Sequence, residues 1–168
     1  MGFSVTISSA IILISLVAVC GTVSGALLYA SFIILPEINM YVETQRTMLD
    51  IQLDLAIDSI SDRSCNITVS NTGSRTIFME AGHDNTIIIS YGTPWRSFLV
   101  EDYDVLEIKV SGTTSIFDPD SHRYINPGEE AMIEIYIPSD APDIVLEDTV
   151  IVVFASHYGV STQAEGVR

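Results

Sequence analysis

The chain has 168 residues, of which 22 are acidic and seven basic, giving a formal net charge of −15, yet its mean hydropathy is positive at +0.38. Those two properties coexist only if apolar and charged residues are segregated along the chain. Lys109 is the only lysine and the basic residues form no cluster, which excludes the electrostatic footprint of a nucleic-acid-binding protein.

The segregation is visible at once. From Met1 to Pro36 no side chain is charged; the first charge is Glu37. The apolar run from Ile7 to Leu35 exceeds the roughly 20 residues that a helix needs to cross a bilayer core of about 30 Å. Interspersed Ser, Thr and Gly do not break such a helix, because they bond back to the backbone or pack against a neighbour. Residues 1–36 are therefore expected as a pilin-like, single-pass transmembrane helix. Gly21 and Gly25 form a Gly-xxx-Gly pair, the spacing that lets two membrane helices approach closely. A cleaved secretory signal is disfavoured: it has a basic start and an apolar stretch of about 7–15 residues, and this run is longer and has no basic flank. A cut after Gly2, as in pilin-type precursors, keeps the whole helix.

Pro36 is expected to interrupt or end that helix. Residues 37–49 then read as an amphipathic connector helix, with Ile38, Tyr41, Val42, Met48 and Leu49 at near-helical spacing. The period changes to two at Ile51, Leu53, Leu55 and Ile57, the mark of a half-buried strand. Further strands are expected at Cys65–Ser70, Thr76–Met79, Thr86–Tyr91, Ser97–Val100, Val105–Val110, Ala131–Ile137 and Val150–Ala155. Turn clusters separate them: Asn71-Thr72-Gly73-Ser74, in which Gly73 is expected to supply a positive φ, Ser111-Gly112-Thr113 and Asn126-Pro127-Gly128. About seven or eight short strands with regular turns predict an all-β, immunoglobulin-like sandwich over residues 50–160. Residues 161–168 read as a polar, fraying tail. Trp95 is expected to plug the sandwich core.

No catalytic or metal constellation stands out. His83, His122 and His157 are far apart and read as surface or loop residues. Cys20 lies in the apolar run and Cys65 in the β-region, so they form no disulfide framework and no metal-binding pair. Glu101-Asp102-Tyr103-Asp104 and Asp118-Pro119-Asp120 lack the spacing of a calcium loop and read as solvated charge. No nucleophile elbow or phosphate loop is present. The expectation is a protein that is not an enzyme and needs no cofactor. Sparse basic flanks specify orientation weakly. The strand-rich part, with its sequon Asn66-Ile67-Thr68 marking Asn66 as a glycosylation candidate, is placed outside the cell membrane.

Four features carry a family resemblance: the opening Met1-Gly2-Phe3-Ser4-Val5, the uncharged Ile11-Ile12-Leu13-Ile14, the connector helix, and Ile67-Thr68-Val69-Ser70-Asn71-Thr72-Gly73-Ser74. In these the chain resembles the accessory proteins of the archaeal flagellum (archaellum), FlaF first and FlaG second. The resemblance covers the whole chain as an architecture. It implies a membrane helix, a β-sandwich on the pseudoperiplasmic side that binds the surface-layer protein, and a stator role in motility. It also implies association with other archaellum proteins such as FlaG and a homodimer or higher oligomer, with no catalytic residues to transfer. The partner-binding face stays unknown at this level. A pilin-type filament subunit carries a glutamate at the fifth mature position and a basic residue before the cut. Here Ile7 stands at the first, and only Met1-Gly2 precedes Phe3. Both departures favour an anchored accessory protein over the alternative, a FlaG-like or pilin-like filament subunit.

Overall fold

A computed structural model describes residues 2–79 and 85–168, with residues 2–6 described by their backbone alone. His83 lies outside the described residues. The chain divides into two compact units, Met1–Gln45 and Arg46–Arg168.

The first unit is almost all of helix α1, Gly2–Leu49, whose last turn belongs to the second unit. Three of its hydroxyls are satisfied locally. The hydroxyls of Thr22, Ser31 and Thr44 donate to the carbonyls of Val19, Leu27 and Met40, each at 2.9 Å. Pro36, expected to break the helix, lies inside it. Proline removes one backbone hydrogen bond and crowds the preceding turn, at a cost of about 3 kcal/mol in a soluble helix. Nucleation is already complete at residue 36, so each further residue adds a hydrogen bond, and helical order continues to Leu49.

The second unit is a β-sandwich. In chain order its strands are β1 (Leu53–Ile60), β2 (Ser64–Asn71), β3 (Ile77–Phe78), β4 (Thr86–Tyr91), β5 (Arg96–Val100), β6 (Tyr103–Val110), β7 (Ile116–Phe117), β8 (Tyr124–Ile125), β9 (Glu129–Tyr136), β10 (Thr149–Ala155) and β11 (Ser161–Val167). One sheet has the order β1-β2-β9-β6-β7, the other β11-β10-β4-β5, and β3 pairs with β8. All pairings are antiparallel. Counting the long strands in chain order, β1-β2-β9-β6 and β11-β10-β4 reproduce the two-sheet order of the immunoglobulin fold.

Alternation explains the core. Along β2 and β9 every second residue is buried, so Cys65, Ile67, Val69, Ala131, Ile133 and Ile135 form the inner face of one sheet. Ile87, Ile89, Val150, Val152 and Phe154 face them from the other. Bulges at Ile57/Ser59 and Val105/Glu107 shift the register of β1 and β6; Ile57 and Val105 stay half-buried, whereas Leu106, within the second bulge, is exposed.

Three local expectations are corrected. Residues 161–168 do not fray: Ser161–Val167 is β11, paired with β10 along its whole length. Its inward positions are small, and a Cβ added at Gly166 would meet Ile60 at 3.2 Å and Ile57 at 3.3 Å. Absence of a side chain there, not apolar patterning, lets the strand sit against β1. Gly73 does not supply a positive φ; a Cβ there would lie 2.5 Å from the Gln52 nitrogen and 2.6 Å from the Asp50 oxygen. The segment after β2 pairs with the chain entering the sandwich, as the amides of Thr72 and Gly73 donate to Gln52 and that of Ser74 to Asp50. Trp95 is 51 % exposed, in the turn between β4 and β5. The core position at that end belongs to Tyr91, which is 1 % exposed and whose hydroxyl donates to the Pro142 carbonyl at 2.5 Å.

Candidate assembly surfaces

Two kinds of surface distinguish this molecule. The first is the helix. Every large apolar side chain from Ile7 to Val42 is exposed, and no part of the apolar span is buried within the chain. Gly21 and Gly25, one turn apart, open onto free space, with nothing within 4 Å of an added Cβ. They form a shallow notch in a ridge of Val17, Leu28 and their neighbours. Cys20 is exposed on the same helix, whereas Cys65 is buried. Burial, with a smaller contribution from the Asp58 carboxylate, pushes the Cys65 thiol up to about 12.

The second kind is the pair of outer sheet faces. The five-stranded sheet presents Asp54 and Asp58 from β1, Glu130 and Glu134 from β9, and Asp104 and Glu107 from β6. Lys109 is the cation among them, 3.3 Å from Glu130 and 3.4 Å from Glu107. Hydrogen bonds to Glu130 and then Glu107 hold its ammonium above the usual lysine range. The Tyr136 hydroxyl donates to Asp104 at 3.0 Å and lies 3.2 Å from Glu134. The hydrogen bond to Asp104 leads in raising that phenol to about 12. Asn66 stands mid-strand on this face, opposite Glu134, with its side-chain oxygen buried and unbonded. The hydroxyl of Thr68, the third sequon residue, is tied to Asp58 at 2.7 Å. A glycan on Asn66 would lie over this acidic face.

His122 and the turn acids take structural places. His122, expected at the surface, is stacked on Phe117 and tilted against Tyr124, with Nε2 3.0 Å from Glu129. Glu129 is 8 % exposed and accepts the Asn126 amide at 2.7 Å. Burial pushes its carboxyl up, but the Asn126 amide and His122 together outweigh burial and leave it below the usual range. Beside it the buried Asn71 donates to the carbonyls of Arg75 at 2.6 Å and Ile125 at 2.9 Å, and accepts the Gly73 amide. These two residues lock the loops at one end of the sandwich; sequence spacing marked Asn71 only as a turn residue and did not mark Glu129. Asp118 caps its own turn by accepting the Asp120 amide at 3.1 Å. Among the described residues no group of three or more His, Cys, Asp or Glu is arranged to hold a metal ion.

Fold and surfaces together define a protein with one long N-terminal apolar helix followed by an antiparallel β-sandwich. The profile of archaeal-type flagellin matches residues 2–166, and the chain belongs to that family, the family of the archaellum. The fold agrees. The archaeal flagellum of Methanospirillum hungatei strain JF1 superposes with a TM-score of 0.61 at 16 % identity, covering 96 % of this chain and 92 % of that one. The archaellum periplasmic stator complex of FlaF and FlaG from Sulfolobus acidocaldarius aligns with a TM-score of 0.44 at 15 % identity, over 70 % of this chain and 88 % of that one. FlaG alone from the same organism gives 0.42 at 16 % identity, over 68 % and 100 %. No curated protein sequence matches.

Proposed function

We propose that this chain is a filament-type structural subunit of the archaellum, with its helix packed among the helices of other subunits and its sandwich displayed on the extracellular side. One observation carries the reading: the length of the uncovered apolar helix. From Gly2 to Pro36 the helix has no charged residue, and at 1.5 Å per residue that stretch is about 50 Å long. A bilayer core covers about 30 Å. Tilt absorbs part of the surplus, but a helix that is apolar on all sides gains most when other apolar helices cover the remainder. A single-pass anchor needs no such surplus.

The functional part of this reading is mechanical. The helix resists axial pull through many small contacts, and the acidic sandwich keeps the assembly soluble at its outer surface. No step requires a catalytic group. The experiment is to purify surface filaments from cells expressing the tagged chain and to identify the main subunit by mass spectrometry. This chain as the main filament subunit is the expected result. Recovery from the membrane fraction alone, with filaments free of it, overturns the reading.

A second reading has its own support. Ile7 stands where pilin-type subunits carry a glutamate, so the charge that helps register one subunit on the next is missing. That favours an anchored accessory protein, single-pass in the cell membrane, whose sandwich grips the surface-layer protein as a stator would, in company with a FlaG-like partner. Saturable binding of the detergent-solubilised full chain to purified surface-layer protein, at the salt of the native medium, supports it. No binding by a folded preparation removes it.

A further inference from the structure

The outer face of the four-stranded sheet differs from that of the five-stranded sheet. Its central row runs Gln163–Val153–Ile88–Leu99 across β11, β10, β4 and β5, each residue directly opposite the next. Leu99 is 56 % exposed and Ile88 36 %. The next row brings Ile151 beside Ser90, whose hydroxyl is satisfied by that of Ser97 at 2.8 Å. Glu165, on the β11 edge, is the charged side chain of these two rows. The opposite outer face carries six carboxylates and one lysine.

We propose that this neutral face is where the sandwich meets the sandwich of a second copy of this chain. Charge selects the occupant. All of the net −15 lies after residue 36, so two copies repel one another wherever their acidic surfaces approach. The Val153–Ile88–Leu99 row holds no carboxylate of its own, Glu165 lying at the β11 edge of the next row, and there each copy removes apolar surface of the other from water. Area sets the strength. Four strands spaced about 4.8 Å apart, each about 20 Å long, give roughly 400 Å² per face and 800 Å² for the pair. A stable dimer in free solution buries about 1,200 Å² or more. The contact is therefore too small to hold two free domains together. It forms when the helices already hold the copies side by side, because tethering raises the effective concentration into the millimolar range. The face thus adds lateral grip between neighbours. It does not require a filament: any assembly that brings the helices together suffices, so it can fail or stand independently of the filament reading.

The test is cross-linking of the full-length chain in phosphatidylcholine vesicles, in a Cys20→Ser background. Cys65 stays in place because it is buried. Single cysteines are introduced at Val153, Ile88 and Leu99, and as controls at Asp104 and Thr68 on the acidic face, then treated with a short bis-maleimide. Dimers from the neutral-face positions and none from the controls are the expected result. A second variant, Leu99→Glu in the Val153→Cys chain, is expected to lower the dimer yield about tenfold, since like charges placed opposite one another are strongly disfavoured. Monomer at all three neutral positions, or equal yields from both faces, overturns the proposal. If the chain still enters filaments while those positions stay monomeric, this face fails and the filament reading stands. If neutral-face dimers form but purified filaments lack the chain, the filament reading fails and this face stands.

Discussion

The helix and the sandwich are both rich in apolar residues, yet they use them in opposite ways. In the sandwich the apolar residues alternate with polar ones, and pairing of two sheets removes Ile67, Ile133, Val152 and Phe154 entirely from solvent. In the helix they run around the whole circumference, and Ile12, Leu16 and Phe32 remain 68 %, 61 % and 77 % exposed. One unit is stabilised by its own burial; the other leaves its apolar side chains uncovered, and on the reading proposed above lipid or neighbouring helices cover them. A substitution in the first should therefore act on folding and one in the second on insertion and assembly.

The sharpest break of that contrast is Phe154→Ala. Removing a fully buried ring from β10 should cost about 3–5 kcal/mol and lower the melting temperature of the sandwich by many degrees. Leu16→Ala, equally apolar but on the helix, should leave that temperature unchanged in detergent. Calorimetry of the two variants decides the matter, and equal shifts would mean that the helix contributes to folding of the sandwich.

Next in size is Leu16→Arg. A charge near the middle of a spanning helix costs about 3 kcal/mol on insertion scales. The variant should leave the membrane fraction or lose assembly while its sandwich melts normally.

Glu129 tests the locked end of the sandwich through pH. Its carboxyl titrates below the usual range in the folded state, so the stabilisation is present above the ordinary value of 4.5 and is lost as the pH falls through the folded value. Glu129→Gln should cost about 1–3 kcal/mol at pH 7, because the Asn126 amide and His122 lose a charged acceptor. As the pH falls through that folded value the wild type should approach the variant. A gap that stays constant from pH 7 down to acid unfolding would show that the carboxylate charge plays no part.

The smallest expected effect is Gly21→Leu with Gly25→Leu. Neither side chain meets anything within the chain, so the sandwich should be unaffected. Helix association should weaken by about 0.6–2 kcal/mol if the notch admits a neighbouring helix. Cross-linking through Cys20, which lies beside Gly21, reads that change, and an undiminished yield would remove the notch from the contact.

Much of this organisation is legible in the order of residues. The uncharged first 36 residues, the switch from helical to two-residue periodicity at Ile51, and most strands of the sandwich follow from local patterning, and local patterning is a property of adjacent residues. The expected strand Val150–Ala155 lies within β10 (Thr149–Ala155), and Ala131–Ile137 overlaps β9 (Glu129–Tyr136). β11 was invisible for the opposite reason: Ser161, Gln163 and Glu165 face outward, while Thr162, Ala164 and Gly166 face inward but are small, so no apolar alternation announces a strand. Gly73 and Trp95 show the same limit. A glycine required by close approach to Asp50 and Gln52 looks identical to one required by a left-handed turn. A tryptophan displaced from the core by Tyr91 looks identical to one that fills it.

The candidate surfaces divide along the same line. Gly21, Gly25 and the uncovered helix are readable from the sequence, because a helix fixes which residues share a side regardless of what surrounds it. The segregation of charge between the two outer sheet faces is not. Alternation tells which residues of a strand point the same way, but only the pairing of strands far apart in sequence gathers Asp54, Glu134 and Asp104 onto one sheet and Ile88, Leu99 and Val153 onto the other. The sequence by itself determined that this protein has an apolar helix and an acidic β-domain, since both are written in runs of neighbours. Tertiary structure alone decided which face of that domain carries few charges, because that depends on long-range strand order, which no local pattern contains.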